Sequence, residues 1–126
     1  MIGVTILDRD KDGMLVPSLQ GILMLLEPEA RGLTWVVSNA EAVGSEAEKL
    51  HEVADQNRSL PFSDLLQIAN AVDQVVDGEF AGYDSTHRKR LVIRAVDSSA
   101  FDVESDDENV VCSVEAQFNR TARYEP

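Results

Sequence analysis

The segment "EFAGYDSTHRKRLVIRAVDSSAFDVE" (79–104) decides the fold, because it contains three strand-like runs separated by polar turns. The runs are EFAGY (79–83), RLVIRAV (90–96) and AFDVE (100–104). They are rich in β-branched and aromatic residues, and the turns between them are short. In the third run Phe101 and Val103 alternate with Asp102 and Glu104, which is typical of a strand with one buried and one solvent-facing side. The segment therefore predicts an antiparallel β-meander.

A helix and a last strand are predicted to follow this meander. Ser105 and Glu108 have the spacing of a capping box, and acids are favourable at the start of a helix. The sequence TARY (121–124) is a candidate edge strand. The apolar stripe of the predicted helix is formed by Val110, Val111, Val114 and Phe118.

The first half of the chain alternates between strand-like and helix-like segments. Residues 2–7 and the sequence GLTWVVSN (32–39) have strand character. Apolar residues at helical spacing predict one helix after Pro17 and another that ends at Gly78. The two apolar stripes are Leu19, Ile22, Leu23 and Leu26, and Leu65, Ile68, Ala69, Val72 and Val76.

Residues 40–60 are more polar than the segments on either side. Ser45 and Glu48 again have the capping-box spacing, and Ala47, Leu50 and Ala54 lie at helical intervals. The segment is interpreted either as a short surface helix or as a mobile loop.

Together these segments predict a single α+β domain over residues 1–126. The expected sheet is mostly antiparallel, with about five or six strands and two or three helices packed on one face. The strand–helix–strand order at the start also allows a parallel pair between the first two strands.

The chain is strongly acidic, with 23 acidic and 11 basic residues and a net charge of −12. Such a charge argues against binding to nucleic acid and to anionic membrane surfaces, since both demand a basic face. No apolar run approaches the length of a membrane span, and no basic, apolar leader begins the sequence. Cys112 is the single cysteine and excludes an internal disulfide. These features predict a cytoplasmic protein.

The sequence LDRDKDGMLV (7–16) partly matches a calcium-binding loop. Asp8, Asp10, Asp12 and the following glycine match the first positions of an EF-hand loop. Leu19 occupies the position of the glutamate that completes the calcium shell, and the preceding segment has strand character. A tight acidic turn, with Asp12-Gly13 joining paired strands, is therefore favoured over a metal site.

Other signals of chemistry are weak. Glu48, His51, Glu52 and Asp55 fall on one face of a helix, but the second carboxylate–histidine motif of a di-iron site is missing. Cys112 lies beside valines and is interpreted as a core residue. The sequence favours a protein without cofactor or enzymatic activity, with carboxylates brought together by folding as the alternative.

The most acidic stretch, DSSAFDVESDDE (97–108), contains six acids and no base. Helix capping explains the acids near the helix start. Asp102 and Glu104 have no such structural role and are expected only to face solvent from one side of a strand. We interpret Asp102 and Glu104, with Asp106 and Asp107 as second choices, as a surface for a basic protein partner. The expected function is that of an inhibitor or immunity-type protein that masks this partner. The alternative is a calcium-binding module or small enzyme that uses Asp8, Asp10 and Asp12 or other carboxylates.

Overall fold

The computed structural model describes all residues, 1–126, as seven strands and five helices. The strands are β1 (Ile2–Ile6), β2 (Thr34–Val43), β3 (Ser59–Pro61), β4 (Gln74–Tyr83), β5 (Lys89–Val96), β6 (Ala100–Ser105) and β7 (Thr121–Tyr124). The helices are α1 (Leu19–Leu25), α2 (Glu27–Ala30), α3 (Ala47–Asp55), α4 (Phe62–Ala71) and α5 (Glu108–Gln117).

All seven strands belong to one sheet with the order β3-β2-β4-β5-β6-β1-β7. Every neighbouring pair is antiparallel. The meander β4-β5-β6 lies at the centre, and β1 is inserted between β6 and β7. The single α+β domain and its antiparallel sheet are therefore confirmed, with more strands and more helices than predicted. The parallel alternative is wrong, because β1 and β2 are not neighbours.

The second predicted helix ends earlier than expected. Helix α4 ends at Ala71, and the next segment turns into β4 from Gln74. Val76 and Gly78, predicted as the end of the helix, lie inside this strand. Val76 has the helical spacing of Leu65, Ile68 and Val72, although it lies in β4, so the apolar pattern alone made the helix appear too long.

Residues 40–60 are ordered into parts of three elements. Strand β2 continues to Val43, α3 follows, and β3 begins at Ser59. The predicted capping box is wrong, because the Ser45 hydroxyl donates a hydrogen bond to the Ala71 carbonyl oxygen instead of capping α3. Leu50 is fully buried, as its place in the predicted helix stripe requires.

The core is one cluster of 27 buried residues. It takes in apolar side chains from all five helices and from alternate positions of the strands. On β6, for example, Phe101 and Val103 belong to the cluster, whereas Asp102 and Glu104 do not. Phe118 is only partly buried and follows the last residue of α5.

The strand positions that alternate with this core form a second set, which we call the polar face. It includes Thr5, Glu79, Arg94, Asp102, Glu104 and Tyr124. Register places Glu79, Arg94, Asp102 and Thr5 in one row across β4, β5, β6 and β1. Glu104 lies in the neighbouring row, opposite Gly3 of β1, which is itself opposite Tyr124 of β7.

Candidate functional site

The four acids predicted as a binding surface belong to two different regions of the structure. Asp102 and Glu104 lie on β6 and point to the polar face. Asp106 and Asp107 lie between β6 and α5. The structure therefore does not bring the four carboxylates together as one patch.

Glu104 is a buried member of an ion-pair network. It is 5% exposed, and its Oε2 accepts hydrogen bonds from Arg94 Nη1 at 2.5 Å and from the Tyr124 hydroxyl at 2.7 Å. The Nε of Arg94 donates to Glu79 Oε1 at 2.8 Å. The expectation that Glu104 faces solvent is thus wrong, because its neighbours across the sheet cover and neutralise it.

Arg94, Glu104 and Tyr124 stabilise one another's protonation states. Burial raises the pKa of Glu104, but the hydrogen bonds from Arg94 and Tyr124 and the charge of Arg94 outweigh it, so the pKa is lowered overall. The hydrogen bond to Glu104 raises the pKa of Arg94. Burial, together with the hydrogen bond to Glu104, raises the pKa of the Tyr124 hydroxyl. An ionised carboxylate between a guanidinium and a neutral phenol is the stable arrangement.

Tyr124 reaches Glu104 because Gly3 leaves room for its ring. A Cβ atom on Gly3 would lie 2.3 Å from Cζ of Tyr124, which is far inside van der Waals contact. The missing side chain at Gly3 therefore lets the ring of the edge-strand residue lie across β1.

Asp102 also has a partner within the protein. Its Oδ1 accepts a hydrogen bond from the Thr5 hydroxyl at 2.7 Å. Contacts within the sheet therefore explain both strand acids. Asp102 binds a residue of β1, and Glu104 binds residues of β5 and β7. This reduces the case for Asp102 and Glu104 as partner-binding residues.

Asp106 and Asp107, in contrast, line an open cleft of about 250 Å³. Two further carboxylates line the same cleft, Glu29 from α2 and Asp84 from the turn between β4 and β5. Arg90 is the one cationic residue in the lining. We call this feature the acidic cleft. A second cation, Arg88, is outside the lining, but its Nη2 lies 3.9 Å from Asp106 Oδ2. Four carboxylates against two guanidinium groups still leave the cleft with an excess of negative charge.

Arg90 ties two of these carboxylates together without neutralising the cleft. Its Nε lies 3.1 Å from Asp106 Oδ2, and its Nη1 lies 3.5 Å from Asp84 Oδ2. Hydrogen bonds from the Thr86 side chain and from the Arg88 and Thr86 backbone amides, together with the charge of Arg90, lower the pKa of Asp84 to about 2. Asp84 therefore stays ionised throughout the physiological pH range.

Asp107 both lines the cleft and starts α5. Its Oδ1 accepts a hydrogen bond from the Asn109 backbone amide at 2.9 Å, so Asp107 is the N-cap. The predicted cap, Ser105, accepts a hydrogen bond from the Asp107 amide and lies two residues before the actual cap. The predicted capping box of Ser105 and Glu108 is therefore wrong, because the helix begins later than its sequence pattern suggests.

The walls of the acidic cleft also offer apolar contact. Leu33, Leu91 and Val110 complete its lining together with Ser105. Apolar walls below a ring of carboxylates suit long cationic side chains, whose aliphatic stems pack while the charged head stays near the acids. No local sequence pattern links α2, the β4–β5 turn and the start of α5, so Glu29, Asp84 and Arg90 were not predicted as site residues.

The aspartates of the opening loop serve to hold the backbone. Both carboxylate oxygens of Asp8 accept backbone amide hydrogen bonds, from Asn119 at 2.8 Å and Arg120 at 2.6 Å. Asp10 Oδ1 accepts from the amides of Asp12 and Met14. The loop doubles back with one isolated bridge between Arg9 and Leu15, and the expected pairing of Met14–Val16 with β1 is absent.

No group of three or more histidine, cysteine, aspartate or glutamate side chains is arranged to hold a metal ion. His51 Nε2 instead accepts a hydrogen bond from the Ala42 amide at 3.3 Å. Cys112 is exposed, so its interpretation as a core residue is wrong. Its neighbour Val111 takes the buried side of α5, and Cys112 lies on the solvent side of the same helix.

No family model, curated protein or solved structure matches this chain. None of its helices has the length and apolar character needed to cross a membrane.

Proposed function

We propose that the protein is an acidic binding domain that recognises a basic protein through the acidic cleft. The observation that supports this proposal is the convergence of four carboxylates on one cleft, where only Arg90 and the more exposed Arg88 oppose them. The four are Glu29, Asp84, Asp106 and Asp107. This proposal keeps the masking of a basic partner suggested by the sequence and moves its centre from Asp102 and Glu104 to Asp106 and Asp107.

The spacing of the carboxylates favours an organic cation over a metal ion. A divalent cation needs several oxygen ligands within about 2.6 Å, and no such cluster is formed. The guanidinium of Arg90, in contrast, already spans Asp84 and Asp106. A lysine or arginine side chain of a partner fits the same carboxylates while its stem packs on the partly exposed Leu33.

The charge of the whole chain supports the same class of partner. A net charge of −12 attracts a basic protein over a distance of about 8–10 Å at physiological salt and speeds the encounter. The cleft then supplies short-range contacts, which a uniform acidic surface lacks. Masking a basic surface of another protein is the activity that this combination supports.

The proposal is tested by titrating the 15N-labelled protein with a tetra-arginine peptide, with tetra-glutamate as the opposite-charge control. We expect saturable shifts of backbone amides at and next to Glu29, Asp84, Asp106 and Asp107 in the first titration only. Higher salt is expected to weaken the binding, because exposed charges are screened.

A matched pair of charge variants locates the binding. Glu29→Gln with Asp107→Asn removes two charges from the cleft and keeps a good N-cap, since asparagine caps helices as well as aspartate. Glu48→Gln with Glu52→Gln removes two exposed charges from α3. We expect the cleft variant to weaken peptide binding about 5- to 30-fold, corresponding to roughly 1–2 kcal/mol, and the α3 variant to have little effect. Equal weakening by both would show that the net charge, and not the cleft, binds the peptide.

A further inference from the structure

A second and larger cavity, of about 410 Å³, lies away from the acidic cleft. Its walls are the loop 13–18 and the start of α1, the end of α4, the first residues of β4 and the β5–β6 turn. We call it the loop cavity. Its volume falls in the range of small-molecule binding sites, and half of its lining residues are apolar.

The loop that forms one wall is held in place before any ligand arrives. Arg9 Nη1 donates to the Gly13 carbonyl oxygen at 3.1 Å, and Nη2 donates to the Ser99 carbonyl oxygen at 2.7 Å. The Asp8 carboxylate fixes the start of the loop to the amides of Asn119 and Arg120, and the Asp10 carboxylate accepts the Met14 amide within the loop. The acidic loop that resembles part of a calcium site thus serves to build a preorganised wall, and preorganisation lowers the cost of binding.

This wall presents apolar side chains to water. Met14 is 58% exposed and Val16 is 52% exposed, and both line the loop cavity. The buried ring of Phe101 also lines it. An ordered loop that holds two large apolar side chains at the mouth of a cavity is a favourable surface for the apolar body of a ligand.

Two charged residues, Arg9 and Asp73, line the loop cavity, so its preference for a head group depends on which of them is free to bind. The cation, Arg9, has both of its terminal nitrogens engaged with carbonyl oxygens. The anion, Asp73, is exposed and takes part in no ion pair. The net charge of −12 also favours cations over anions at the surface.

We propose that the loop cavity binds small organic amines, with the apolar body against Met14, Val16 and Phe101 and the ammonium group at Asp73. This site is separate from the acidic cleft, and the proposal does not depend on a protein partner.

Three probes of nearly the same shape test this proposal on the whole chain. They are 2-phenylethylamine, 2-phenylethanol and 3-phenylpropionate, which are cationic, neutral and anionic at neutral pH. Each is titrated into the 15N-labelled protein, and shifts are followed for amides of the loop and of β4. We expect the amine to bind with a dissociation constant of about 1–10 mM, as ligands of this size allow. It should bind about two- to fivefold more tightly than the alcohol, with the acid weakest.

The variant Asp73→Asn separates the contribution of the ligand's ammonium group to binding from that of its apolar body. It keeps the size of the side chain, and we expect the amine to bind no more tightly than the alcohol, while binding of the alcohol is unchanged. Equal affinities of the three probes for the original protein, or tightest binding of the acid, would overturn the assignment of the ammonium group to Asp73.

A second pair of variants tests the apolar wall. Met14→Ser with Val16→Ser removes exposed side chains of the loop cavity, so circular dichroism should show an unchanged fold. Met24→Ser with Val43→Ser removes two side chains of similar exposure outside the cavity. We expect the first pair to weaken all three probes about tenfold and the second pair to leave them unchanged. Absence of saturable shifts with every probe, or equal weakening by both pairs, would overturn the proposed site.

Discussion

Glu104 and Asp106 are two positions apart in the chain, yet they have opposite roles in the structure. The side chain of Glu104 is 7% exposed and shares a carboxylate oxygen between Arg94 and Tyr124. The side chain of Asp106 is 29% exposed and lies in an open cleft beside Arg90. One acid holds strands together, and the other contributes to a surface charge that is only partly balanced. The number of acids in a stretch therefore does not measure how much acidic surface it provides.

The largest effect that would test this comparison is the loss of stability on removing each carboxylate. For Glu104→Ala we expect the free energy of unfolding to fall by about 2–3 kcal/mol. This is less than the full 3–5 kcal/mol of a deeply buried pair, because water reaches part of Arg94. For Asp106→Ala we expect a loss below about 1 kcal/mol, since its ion pairs are exposed. Urea unfolding measures both, and equal losses would remove the distinction between the two acids.

A somewhat smaller effect is expected at Gly3. Gly3→Ala places a methyl group against the ring of Tyr124, so the ring must move and release Glu104. We expect a loss of about 1–3 kcal/mol, the usual range for overpacking. The loss should shrink in a Tyr124→Ala background, because the clash is then gone. Additive losses in this double-mutant cycle would show that the ring is not the cause.

The pH dependence of stability should also distinguish the buried acid. The pKa of Glu104 is lower in the folded protein than in the unfolded chain. Its contribution is therefore present above the unfolded pKa, about 4.3, and is lost as the pH falls through the folded value. We expect the unfolding free energy of the original protein to fall more steeply from pH 5 to 3 than that of Glu104→Gln. Parallel curves would contradict the ion-pair network.

The smallest expected effect concerns Asp107. Asp107→Asn keeps a side-chain acceptor for the Asn109 amide, so stability should change by less than about 0.5 kcal/mol. Asp107→Ala removes the cap and should cost about 1 kcal/mol. Thermal unfolding of the two variants separates the role of Asp107 as a cap from its charge in the cleft. A large loss in Asp107→Asn would mean that the charge itself is structural.

The meander and α5 were predictable because their signals are local. Alternation along β6 assigns Phe101 and Val103 to one side, and the structure confirms this side as core. The end of α4 was not predictable in the same way, since Val76 continues the spacing of the helix stripe although it belongs to β4. The capping pattern at Ser105 was misleading for a related reason, as Asp107 competes for the same role two residues later.

The candidate sites were less predictable than the fold, because they depend on contacts between distant segments. Alternation places Glu104 opposite the core, but only the position of β5 and β7 shows that Arg94 and Tyr124 cover it. The acidic cleft joins Glu29, Asp84 and Asp106, which no spacing rule connects. Likewise, the opening aspartates have the spacing of metal ligands, and only the fold shows that Asp8 bonds to the amides of residues 119 and 120.

The place of β1 in the sheet has a consequence for how the chain folds during synthesis. Both partners of β1 come from the last third of the sequence, and Thr5 bonds to a residue 97 positions later. Strand β1 is therefore made before the other six strands of this sheet but is among the last to pair, and its apolar residues Val4 and Ile6 stay unpaired until then. Such distant pairing slows folding and exposes the nascent strand to other chains. Release of residues 101–124 from the ribosome, and not the emergence of the meander, should thus be the step at which the amides of β1 first gain protection from hydrogen exchange.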